Sequence, residues 1–168
     1  MIFLSTKFKI KCASIISKFL VFFLGNEDRI IKRDNINYYI NLREGIDLGV
    51  FLGVKNEVSI SNISKITNIN KKKTIIDIGA NIGSVTLPLA KIFKNSKIIA
   101  IEPTIYAFSK LKKNVSLNPN LKKRINPQNI FVSNKKKKIK EVHSSWNLSN
   151  NDKRHNVHLG ILKKTSLK

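Results

Sequence analysis

Acidic residues are scarce in this chain: 10 Asp and Glu stand against 32 Lys and Arg in 168 residues, a formal charge of +22. Such a field attracts phosphates, anionic lipid headgroups or nucleic acid. The lysines are spread through every segment, with small clusters at 71–73, 112–113, 122–124 and 135–138. Basic stretches with interleaved aromatics, the pattern of single-strand-binding surfaces, are missing, so nucleic acid is not the expected partner. A lone cysteine, Cys12, excludes an internal disulfide and a thiolate metal cluster, and suits a reducing, cytoplasmic compartment. No run of ~20 apolar residues is present, which excludes an ordinary membrane span. Internal repeats are also absent. The 42% apolar content is that of a globular protein of one domain with an extension.

What is present is ordered along the chain. Residues 7–24 read as an amphipathic helix, with Phe8, Cys12, Ile15, Ile16, Phe19, Leu20 and Phe23 at spacings of three and four. Lys7, Lys11, Ser14 and Lys18 fall on the other side, and Gly25-Asn26 supplies a stop. A basic face opposite an aromatic-rich one fits peripheral contact with a membrane. The same stripe packing on the domain is the alternative, and a secretory signal a third, although Phe22-Phe23-Leu24-Gly25 lacks a small-x-small cleavage site. A hairpin is expected next, from Ile36–Leu42 through Arg43-Glu44-Gly45 to a return strand at Ile46–Leu52, then a short helix marked by Ile60, Ile63 and Ile66. These elements make up a leading segment of residues 1–70.

From 71 to 168 the pattern becomes β-α-β-α-β. Thr74–Ile78 is a β-branched run suited to a buried parallel strand. A helix follows with Val85, Leu89, Ile92 and Phe93 on one face, and Pro88 in its early turns. Lys97–Ile101 is the second strand, Thr104 the expected cap of a helix carrying Ile105, Phe108, Leu111 and Val115, and Asn118-Pro119 its end. Asn129–Ser133 is expected as a third strand, with Ile139–Val142 pairing to it.

The chemistry concentrates at Asp77-Ile-Gly79-Ala-Asn81-Ile-Gly83, between a strand and a helix. Glycine there permits a sharp turn and close approach of a ligand to the backbone. Glu102 ends the next strand, placed to accept hydrogen bonds from ribose hydroxyls, so a nucleoside-containing cofactor is expected across the strand ends. In the dinucleotide pattern G-x-G-x-x-G, the second and third glycines are here Asn81 and Ser84. A pyrophosphate would lose its bare backbone. S-adenosylmethionine carries an amino-acid tail instead, whose ammonium suits Asp77.

Asp77–Ser84, Thr86-Leu87 and Ile101-Glu102-Pro103 together resemble the FkbM-type methyltransferase family. Asn114–Asn118, Val132–Lys135, Ile46-Asp47 and the Glu57 region extend the likeness over residues 30–165, although a glycine common near Lys137-Lys138 is missing. The resemblance implies a Rossmann-like class I methyltransferase sheet, preceded by the N-terminal helix and hairpin and incomplete at the C-terminus. It also implies S-adenosylmethionine as cofactor, held by Asp77, Gly79, Asn81, Gly83 and Glu102, and methyl transfer to a hydroxyl of a sugar, glycan or other small molecule. His143 is the candidate base; His155 and His158 have no acidic or thiol partner nearby, and no metal site is expected. The family's further strands are expected beyond Lys168, which leaves Thr74–Ile78 an open edge and this chain inactive alone. A non-catalytic fragment and a basic RNA-binding protein or RNA methyltransferase are the alternatives.

Overall fold

A computed structural model of the chain describes residues 6–54, 63, 67–133, 142–144 and 163–165. The chain starts with helix α1 (Thr6–Leu24), stopped where Gly25 turns left-handed (φ 69°) and its N–H bonds the Val21 carbonyl at 3.0 Å. Strands β1 (Asp28–Arg33) and β2 (Ile36–Asn41) form an antiparallel hairpin, with Ile31 opposite Tyr38 and Arg33 opposite Ile36. The turn is Asp34-Asn35, both with positive φ (49° and 57°). Two such residues make the primed turn whose twist matches the strands, and Asp and Asn tolerate that region best after glycine. Alternation in β2 buries Ile36, Tyr38 and Ile40.

The expected return strand at Ile46–Leu52 is instead helix α2 (Gly45–Leu52), closed by left-handed Gly53. The hairpin partner of β2 lies before it, in β1, so the segment after Asn41 is free to coil. Asp47, on the first turn of α2, is buried and accepts the Asn41 N–H at 2.7 Å and the Lys110 ammonium. Burial pushes its carboxyl above the ordinary range, and Lys110 opposes that rise. Of the short helix expected near Ile60 and Ile66, only Ile63 is among the described residues, partly buried against the core.

The parallel sheet runs β3 (Thr74–Ile78), β4 (Lys97–Ile101) and β5 (Ile125–Gln128), in that spatial order. Helix α3 (Thr86–Ile92) joins β3 to β4, and helix α4 (Ile105–Ser116) with the single turn α5 (Pro119–Lys122) joins β4 to β5. Right-handed crossovers in one direction stack both helices on one face. Ile75, Ile98 and Ile125 line up in register across that face and meet Leu87, Phe93, Leu111 and Val115 in the core. Pro88 occupies the third position of α3, where no intrahelical donor is needed, so the helix is not broken. The expected burial of β3 on both faces does not hold: among the described residues it is the edge of the sheet, and Ile76 and Ile78 on the far face are 58% and 64% exposed.

The third strand begins four residues earlier than expected. Pro127 reads as a breaker, yet β5 is an edge strand, where a missing N–H costs no ladder bond. Nor does Val142 pair with it. Strand β6 (Val142–Ser144) pairs antiparallel with β7 (Lys163–Thr165) in a separate ribbon, and the lysine turn at 135–138 lies outside the described residues. Hairpin residues 36–42 and sheet residues 80–125 share one hydrophobic core, which joins the leading segment to the strands that follow.

Candidate cofactor site at the strand ends

The carboxyl ends of β3 and β4 bring Asp77, Gly79, Asn81, Gly83 and Glu102 together. Gly79 and Ala80 both donate N–H bonds to the Ile101 carbonyl (2.8 and 2.9 Å), which fastens the glycine turn onto the end of β4. Asn81 donates its N–H to Glu102 Oε2 at 3.0 Å, so the two halves of the motif are in direct contact. Its φ of 49° is left-handed, and its own Oδ1 accepts the Ile82 N–H at 2.8 Å, a local bond that makes asparagine a workable replacement for glycine. Gly83 N–H bonds the Ala80 carbonyl at 2.8 Å.

Each backbone N–H from Gly79 to Gly83 therefore has an acceptor within the protein. A phosphate cradle needs such groups free and aimed at the ligand. This turn has none to offer a pyrophosphate, in accord with the replaced glycines.

The two glycines with positive φ at this site do different work. Gly79 (φ 82°) has nothing within 4 Å of the position a Cβ would take, so its bare backbone borders open space. At Gly83 (φ 89°) a Cβ would lie 2.9 Å from Leu111 Cδ1, so this glycine lets the turn pack against α4. Gly79 faces open space; Gly83 serves the packing.

Glu102 is 4% exposed and has three protein donors: the Asn81 N–H at 3.0 Å, the Thr104 N–H at 3.0 Å and the Thr104 hydroxyl at 2.5 Å. A carboxylate offers about four lone-pair positions, so one on Oε2 is left for an incoming hydroxyl. Thr104 stands at the N-cap of α4 as expected, but its hydroxyl serves Glu102 instead of the helix. Asn129 fixes the backbone of Glu102 and Pro103 from the other side, donating to their carbonyls at 2.8 and 2.9 Å.

Asp77 Oδ2 accepts the Thr86 hydroxyl at 2.5 Å. Burial raises the Asp77 pKa, the Thr86 bond opposes the rise, and the charge of Glu102 adds to it. A cationic ligand group next to both carboxylates would relieve that cost.

Sequence reasoning missed the supports of this site. Asn114 on α4 is fully buried; its Oδ1 accepts the Tyr39 N–H at 2.6 Å and its Nδ2 donates to the Ile82 carbonyl at 2.8 Å. It thereby ties strand β2 to the glycine turn. Asn118 does the same for Asn37, accepting its N–H at 2.9 Å and donating to its carbonyl at 2.7 Å. A polar residue inside an otherwise apolar helix face was the available signal. His143 lies on β6, opposite Lys164, in a two-stranded ribbon distinct from the parallel sheet. His155 and His158 lie outside the described residues. Among the described residues no set of three His, Cys, Asp or Glu can hold a metal. A cavity of about 430 Å³ opens between the hairpin and α4, lined by Tyr39, Tyr106, Lys110 and Lys113 among others, and includes none of the motif residues.

No family model matches the chain. Over 93 residues it is 27% identical to the methyltransferase SdnD of Sordaria araneosa, an alignment covering 55% of this chain and 34% of that protein. The chain thus spans about a third of the length of this curated relative. Among solved structures it resembles TYW2 of P. horikoshii in complex with MeSAdo, at 18% identity and a TM-score of 0.44, covering 76% of this chain and 50% of that one. TYW2 of M. jannaschii in complex with AdoMet gives 25% identity and a TM-score of 0.41, over 61% and 42% of the two chains.

Proposed function

We propose that the strand ends of β3 and β4 bind S-adenosylmethionine, and that the chain belongs to an enzyme that transfers its methyl group to an acceptor hydroxyl. The observation that carries this reading is the direct bond between the glycine turn and Glu102, which joins at the ends of β3 and β4 a carboxylate suited to a cation (Asp77), a bare backbone bordering open space (Gly79) and a carboxylate suited to a ribose (Glu102). The alignment with a methyltransferase supports the same reaction class.

The residues divide the cofactor between them. Asp77 takes the ammonium of the amino-acid tail, and Gly79 lets that tail approach the turn. Glu102 takes a ribose hydroxyl on its remaining Oε2 position, held in place by Asn81 and Thr104. When bound, the cofactor supplies an electrophilic methyl group on a sulfonium. Catalysis of such a displacement comes chiefly from holding donor and acceptor in line. A hydroxyl of a sugar or other small molecule is the acceptor that the FkbM-type motifs favour, with His143 as the candidate to take its proton. An RNA acceptor is the second reading, favoured by the charge of +22, and predicts retention on RNA that falls steeply with salt.

Calorimetry with S-adenosylmethionine tests the site. Glu102→Gln keeps the shape but weakens the acceptor, and the loss expected is roughly tenfold, the range of one hydrogen bond to a charged group. Affinity equal to that of the unaltered chain would remove Glu102 from the site.

A further inference from the structure

Helix α1 has two apolar faces rather than one. Ala13, Leu20 and Val21 pack on the core, and Ser17 between them is 3% exposed. At 100° per residue these positions lie on one side of the helix. Ile15, Phe19, Phe22 and Phe23 lie on the opposite side and are exposed, Phe22 by 81%. The Phe23 ring stands 5.5 Å from that of Phe19 and 5.3 Å from that of Phe22, so the rings form one continuous patch. Lys11 and Lys18 flank the patch on one side and Lys9 on the other, all exposed, and the helix contains no acidic residue. The lysines expected to oppose the aromatic stripe border it instead, because the core occupies the opposite side.

We propose that this outer face of α1 docks the protein on an anionic lipid bilayer, with the helix axis in the membrane plane and the core on the aqueous side. Charge selects lipid over a second copy of the chain. Lysines along both margins reach headgroup phosphates while the rings sit at the acyl boundary. Two copies meeting through this face would set Lys11 and Lys18 close to like charges, which is costly. The net charge of +22 adds attraction from any orientation. No described helix is long and apolar enough to cross a membrane, and the inner face of α1 is held by the core, so the helix lies on the surface.

The test is flotation of the full chain with vesicles of phosphatidylcholine alone or with about a third phosphatidylglycerol, a content that gives the surface a negative potential. Flotation separates bound protein from aggregate. Binding is expected only to the anionic vesicles, to weaken with salt, and to fall roughly fivefold for each of Lys11→Gln and Lys18→Gln. Phe19→Ser combined with Phe23→Ser is expected to cut flotation to the salt-labile remainder that charge alone sustains, with an unchanged far-ultraviolet circular dichroism spectrum, because both rings lie outside the core. Equal binding to both vesicle types, or flotation unchanged in the double phenylalanine variant, overturns the proposal. So does self-association that this variant abolishes in a chain that binds no vesicles, which would assign the face to a second copy.

Discussion

Asp77 and the two site glycines carry separable consequences. A carboxyl whose folded pKa is raised binds a proton more readily in the folded state than in the unfolded one. Its contribution to stability is therefore greatest at acid pH and declines as pH rises from about 3.9 through the folded pKa. Binding of a cationic tail needs the ionised form, so affinity for S-adenosylmethionine should run the other way, rising through the same window and levelling above it. Asp77→Asn should bind weakly with no such dependence; titrations at several pH values check both slopes. For the glycines, Gly83→Ala forces a methyl group against Leu111 in a left-handed conformation and should cost about 1–3 kcal/mol of stability. Gly79→Ala meets no neighbour and should cost nearer ~1 kcal/mol, its larger effect falling on cofactor affinity. Thermal melts that rank the two in the opposite order would contradict the division of labour.

At the scale of the element, the Asp34-Asn35 turn sets the register of the hairpin. Asn35→Gly should stabilise it by up to ~1 kcal/mol, because glycine holds a positive φ without steric cost; a raised melting temperature is the readout. The same turn shows where sequence reading failed. Strand β1, Asp28–Arg33, is mostly charged and half exposed, so its alternation is faint, and the sequence points instead to the segment after β2 as the partner. Ile46, Leu48, Val50 and Leu52 alternate like a strand but coil, because β2 is already paired and Asp47 must reach Lys110. By contrast β3, β4 and the two helices between the sheet strands were legible, since an unbroken β-branched run and a three-four apolar repeat survive any tertiary context. The convergence of Asp77, Gly79, Asn81, Gly83 and Glu102 at the strand ends was legible too, because each position must satisfy a local backbone or charge requirement. Thr104, Asn114 and Asn129 were not, because their partners lie on other elements and no local pattern announces them.

For the whole molecule, a charge of +22 opposes the open edge of β3. Repulsion between copies should keep β3, with its exposed Ile76 and Ile78, apart from other copies at low salt. Screening shortens its range to about 10 Å at 0.1 M salt. Added salt should therefore promote association, and Ile76→Lys or Ile78→Lys should suppress it; light scattering across a salt series checks this. Cohesion within one copy has another source. Through Asn114 a single side chain holds both the Tyr39 amide on β2 and the Ile82 carbonyl in the glycine turn. The hairpin and the turn thus share one anchor: an excursion of either breaks its own bond to Asn114 and loosens the side chain that holds the other. A ligand that stills the turn would slow deuterium uptake at Tyr39, on a strand it never touches, and the N-terminal hairpin would become a gauge of occupancy at the strand ends.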